Sequence, residues 1–69
     1  MGTTDTKSGE VYFEFIAIGR QVKVMAVDAT TGTEVAVVGP AHAAAADLER
    51  LALAKLKARL AAQKQAPRR

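Results

Sequence analysis

Residues 10–28 read EVYFEFIAIGRQVKVMAVD, and this stretch decides the fold. Over 10–18 the side chains alternate. Val11, Phe13, Phe15 and Ala17 fall on one face, and Tyr12, Glu14, Ile16 and Ile18 on the other, which is the period of a β-strand. Gly19-Arg20 supplies a two-residue turn of type II′, with glycine where φ must be positive. That turn pairs Ile18 with Gln21, Ala17 with Val22, Phe15 with Val24 and Phe13 with Ala26. In this register the apolar partners share the Phe13/Phe15 face, which predicts a core-facing side. A slip of one residue would mix the two faces. On the opposite face Glu14 lies diagonal to Lys23.

Downstream, Asp28-Ala29-Thr30-Thr31-Gly32 predicts a second hairpin. The aspartate can accept backbone N–H groups at the turn's first position, and Gly32 suits a left-handed residue. A third strand is expected over 33–38. Val35, Ala36, Val37 and Val38 are consecutive apolar residues, the pattern of a strand covered on both faces. Gly39-Pro40 reads as the end of the sheet. A helix is then expected to start between Pro40 and Ala44 and to end near Gln65, before Pro67. Asp47 and Glu49 lie near its start and Lys55, Lys57, Arg59 and Lys64 toward its end, matching the helix dipole. The expected architecture is α+β, a three-stranded antiparallel β-meander followed by one long C-terminal α-helix. Residues 1–9, polar and small, read as a disordered leader. Residues 10–65 form the single domain, and 66–69 a frayed basic tail.

At 100° per residue, Ala45, Leu48, Ala52, Leu53, Leu56 and Leu60 make one broad apolar face, with Leu51 well to its side. The leucines span a wider arc than one sheet face covers. Composition adds to this. The chain has 69 residues, 49% of them apolar, but nearly half of the apolar residues are alanine. Few large side chains remain for a core, so the margin for a monomer is thin. Without cysteine, no disulfide can supplement it. A lone His42 gives no structural zinc site. Association with a second copy is the remaining device. The expected assembly is therefore a homodimer, intertwined by helix exchange across the short Gly39-Pro40 connection. Leu48, Leu51, Leu53, Leu56, Leu60, Val35 and Val37 are its candidate interface.

The same inventory offers little chemistry. Cysteine and tryptophan are absent, and serine occurs only at Ser8. No nucleophile accompanies His42. Neither a dinucleotide nor a Walker phosphate motif is present. Neither an enzyme nor any cofactor, metal or small-molecule ligand is expected. The polar N-terminus has no apolar core of a signal peptide, and no apolar run is long enough to span a bilayer. The chain reads as cytoplasmic, with no membrane partner.

Charge is asymmetric. Residues 1–46 carry a net −2 and residues 47–69 a net +5. Arg50, Lys57 and Lys64 recur on one helical stripe, followed by Arg68 and Arg69. This row supports an alternative function, weak nucleic-acid binding through phosphates. The leading reading is a non-catalytic structural or protein-interaction module, with a second copy, or another protein, as its partner.

Five segments also carry a resemblance. They are EVYFEF at 10–15, VKVMAVD at 22–28, TGTEV at 31–35, VGP at 38–40 and LERLALAKL at 48–56. Together the run 10–60 resembles a family of small bacterial proteins of unknown function. The resemblance implies a strand–strand–strand–helix unit that forms a homodimer, with helix exchange between subunits as one form of it. It implies no activity, substrate or catalytic residue.

Overall fold

In the computed structural model, residues 10–65 are described, with side chains through Gln63. The expected leader and tail lie outside the described residues. So do the Lys64 side chain, Arg68 and Arg69.

Three strands, β1 (Val11–Ile18), β2 (Gln21–Asp28) and β3 (Glu34–Pro40), precede one helix, α1 (Ala45–Gln65). The sheet is antiparallel in the order β1-β2-β3. The fold is thus the α+β meander and helix that the alternation predicts. β1 and β2 pair in the expected register, Phe15 opposite Val24 and Phe13 opposite Ala26. Gly19 has φ +60, and no non-glycine residue among those described has positive φ. A type I′ turn would need both central residues there, so the turn is of the II′ kind. Gly32 has φ +79 in the second loop. There the Asp28 carboxylate accepts the Thr31 N–H at 2.9 Å and the Thr31 hydroxyl at 2.8 Å. The Gly32 N–H donates to the Asp28 carbonyl at 2.7 Å and the Asp28 N–H to the Thr33 carbonyl at 2.9 Å. An aspartate at this position therefore organises the loop through both its side chain and its backbone.

β3 runs two residues further than the sequence suggests, because Gly39 and Pro40 pair with Val22 and Gln21 instead of ending the sheet. The helix correspondingly begins at Ala45 after a turn over 41–44. Ala44 is its N-cap. The carbonyl of Ala44 accepts the Asp47 and Leu48 amides, but its methyl side chain can cap nothing. Ala44→Ser should therefore raise stability by about 1 kcal/mol. For a domain of this size that is a rise of roughly 4–8 °C in the melting midpoint followed by circular dichroism.

The core consists of Val24, Ala26, Val35, Leu48, Ala52 and Leu56. Leu48, Ala52 and Leu56 recur at i, i+4 and i+8, one helix stripe laid on the inward face of the sheet. Only four of the six are larger than alanine, so the core is small. The helix packs on β3 and β2. Gly39 explains this lateral position. A Cβ built there would stand 2.5 Å from Leu48 Cδ2, so any larger residue would force the Leu48 side chain to shift from its seat on β3.

That placement corrects two expectations. The Phe13/Phe15 face is not wholly core, since Phe13 is half-buried and Phe15 is 44% exposed. The helix lies toward the far strand and leaves the end of β1 bare. Nor is β3 covered on both faces, for Val38 is 56% exposed on the side away from the helix. No helix among the described residues is long and apolar enough to cross a membrane.

Candidate interaction surface

The two edges of the sheet differ in chemistry. In β1, the Glu10 carbonyl accepts the Ala29 N–H from the β2 side. Direction alternates along an antiparallel ladder. Tyr12, Glu14, Ile16 and Ile18 therefore bond to β2. Val11, Phe13, Phe15 and Ala17 turn their backbone N–H and C=O groups outward. No strand among the described residues pairs with this edge.

At the other edge, the Ala41 N–H donates to the Arg20 carbonyl. By the same alternation Gly39, Val37 and Val35 face β2, while Glu34, Ala36, Val38 and Pro40 face outward. This edge is blunted. Lys55 Nζ donates to the Ala36 carbonyl at 2.7 Å, and Pro40 has no N–H to offer. An edge lysine and an edge proline are common devices against strand addition. β1 has neither, and Glu14 is its one charge.

Side chains strengthen the contrast. Among the described residues, five large apolar side chains are exposed: Tyr12, Phe15, Ile18, Val38 and Leu51. Three of them belong to β1. Beside its helix-facing surface lies an open dent lined by Phe13, Ala46, Glu49, Arg50 and Leu53.

The residues singled out as a candidate interface divide accordingly. Leu48, Leu56 and Val35 are buried in the chain's own core, and Val37 and Leu60 pack against it. Leu53 is half-buried beside the dent, and Leu51 is 58% exposed. Of the candidate phosphate contacts, Arg50 pairs with Asp47 at 3.3 Å, both side chains well exposed. Such a pair adds little stability. Lys57 is exposed on the same stripe. His42 is exposed in the turn before the helix. Among the described residues, no three His, Asp or Glu side chains converge on a metal position.

The alternation that makes Phe13 and Phe15 read as core conceals the β1 edge in the sequence. The signal was nonetheless there, in a strand with an apolar residue at most positions and no lysine or proline.

The family model for a domain of unknown function (DUF6898) matches residues 8–64. The chain belongs to this family. The DUF6898 match takes in both hairpins and nearly all of α1, so the meander and its helix are the family unit. It agrees with the resemblance carried by EVYFEF, VKVMAVD and VGP, which points to a family of unknown function. Neither the curated proteins nor the solved structures contain a match to the chain.

Proposed function

We propose that this DUF6898 chain is a non-catalytic interaction module that works as a homodimer. The observation that carries the reading is the gathering of Tyr12, Phe15 and Ile18 on a strand whose outer edge no described strand pairs. Exposed apolar area next to unpaired backbone is a docking surface. The small core supports the same reading, because association buries area that the chain alone leaves in water.

The rival reading, a nucleic-acid binder, draws on the basic helix. Of its candidate contacts, Arg50 and Lys57 are exposed on one stripe, Arg50 beside Asp47. That reading predicts binding to generic DNA or RNA that weakens steeply with salt.

Sedimentation velocity at micromolar concentration tests the proposal. The expected species has twice the 7.3 kDa mass of the chain. A single species at the monomer mass would overturn it.

A further inference from the structure

We propose that two copies join through their β1 strands, edge to edge and antiparallel, in a register centred on Phe15. Two three-stranded sheets then become one sheet of six strands. The inference rests on the homodimer reading and goes beyond it by naming the joint.

The choice of edge follows from the backbone. A pairing partner needs a row of free donors and acceptors. β1 presents those of Val11, Phe13, Phe15 and Ala17, whereas β3 has its Ala36 carbonyl taken by Lys55 and ends in Pro40. The occupant is a second copy because the edge is complementary to itself. Its helix-facing side carries Phe13, Phe15 and Ala17, its other side Tyr12, Glu14, Ile16 and Ile18, and Glu14 is its one charge.

The register follows from parity and charge. Residues directly opposite in an antiparallel pair point to the same face. The outward-bonding residues of β1 must also meet outward-bonding residues of the partner strand. Three centres then compete: Phe13, Glu14 and Phe15. A centre on Glu14 sets the two carboxylates directly opposite each other in a closely spaced pair, which like charges disfavour. A centre on Phe13 leaves Ile18 beyond the end of the pairing. A centre on Phe15 sets Phe15 against the partner's Phe15, Phe13 against the partner's Ala17, and Tyr12 against the partner's Ile18. All three exposed apolar side chains of β1 are then covered, each by another of them. Glu14 faces the partner's Ile16 and stays at the solvent side of the sheet.

Proline substitutions at matched outward positions test the edge. Ala17 and Val38 both direct their N–H away from β2, so proline at either removes no ladder bond within the chain. Ala17→Pro should weaken dimerisation by about a hundredfold, since proline inside a paired strand removes a donor and obstructs its neighbour. Val38→Pro should leave the dimer intact, and far-UV circular dichroism should show both variants folded. A monomeric parent chain would defeat the dimer reading itself, and the joint with it. A dimeric parent with a dimeric Ala17→Pro, or with a monomeric Val38→Pro, would overturn the β1 joint alone and leave helix exchange or face packing as the mode.

Cysteine pairing tests the register without relying on the proline variant. The chain has no cysteine, so every disulfide in a variant is informative. In the Phe15-centred register, positions 12 and 18 of opposite chains form a closely spaced pair about 4.5 Å apart at Cα, within disulfide reach. The Tyr12→Cys/Ile18→Cys double variant should oxidise to a dimer joined through positions 12 and 18. Tyr12→Cys alone should stay unlinked, its partner thiol being six residues along the strand, roughly 20 Å away. A 12–12 link in the single variant, or no 12–18 link in the double, would overturn the register.

Discussion

Leu56→Ala should lower the stability of the chain by about 2–5 kcal/mol, the largest loss expected from any single truncation. Leu56 has no exposed surface and, with Val24, is one of the two largest fully buried side chains. The cost has two parts, the lost transfer of the isobutyl group out of water and the cavity left behind. Collapse of that cavity is hindered because Ala52, its neighbour on the same stripe, is already small. In a core with four side chains larger than alanine, one truncation removes a large share of the packing. Small domains have only a few kcal/mol in hand, so this variant should be largely unfolded near body temperature. Urea and thermal unfolding followed by circular dichroism would measure it. Leu51→Ala, at an exposed position on the same helix, should stay within about 0.5 kcal/mol of the parent. Equal losses at the two positions would show that the helix is not seated as described.

Asp28→Ala should cost about 1.5–3 kcal/mol, through hydrogen bonds instead of packing. Asp28 is 5% exposed, and its carboxylate accepts both the backbone N–H and the hydroxyl of Thr31. Alanine leaves the Thr31 amide without that acceptor while the loop must still place Gly32 at positive φ. The loop also reaches the helix, since the Thr33 hydroxyl donates to Gln63 Oε1 at 3.3 Å. Loosening it should therefore speed hydrogen exchange at Gly32 and over the last helical turns together. Asp28→Asn keeps one oxygen acceptor and most of the shape, and should lose about half as much. If Asn were as damaging as Ala, charge and not hydrogen-bond geometry would be the dominant contribution.

Local chemistry explains what the sequence made legible. Alternation in 10–28, Gly19 at a two-residue turn and Asp28 with Gly32 at a longer one specify both hairpins and the β1–β2 register. Leu48, Ala52 and Leu56 specify the buried stripe of the helix. Each of these depends on neighbours a few residues apart. The sideways position of the helix does not. It depends on Leu48 meeting Gly39 across the layers, where the missing side chain opens a seat over β3. Gly39-Pro40 reads as simple punctuation in the sequence, and the Phe13/Phe15 face reads as core-facing. For the same reason the alternation that marks the Phe13/Phe15 face as core does not reveal the exposed β1 edge.

The strand order β1-β2-β3 also has a consequence for how the chain is made. Every sheet contact joins consecutive elements through loops of a few residues, so the meander can close quickly by local search. The helix follows the sheet in sequence, yet it supplies Leu48, Ala52 and Leu56, half of the core. During synthesis the inward face of the sheet, with Val24 and Val35, stays wet until those residues emerge. At about 5–20 residues per second that interval lasts seconds. A chain interrupted before Leu48 would carry a complete sheet with nothing on its apolar face. The nascent protein is most prone to aggregate in that interval, when its strands are finished and its helix is not.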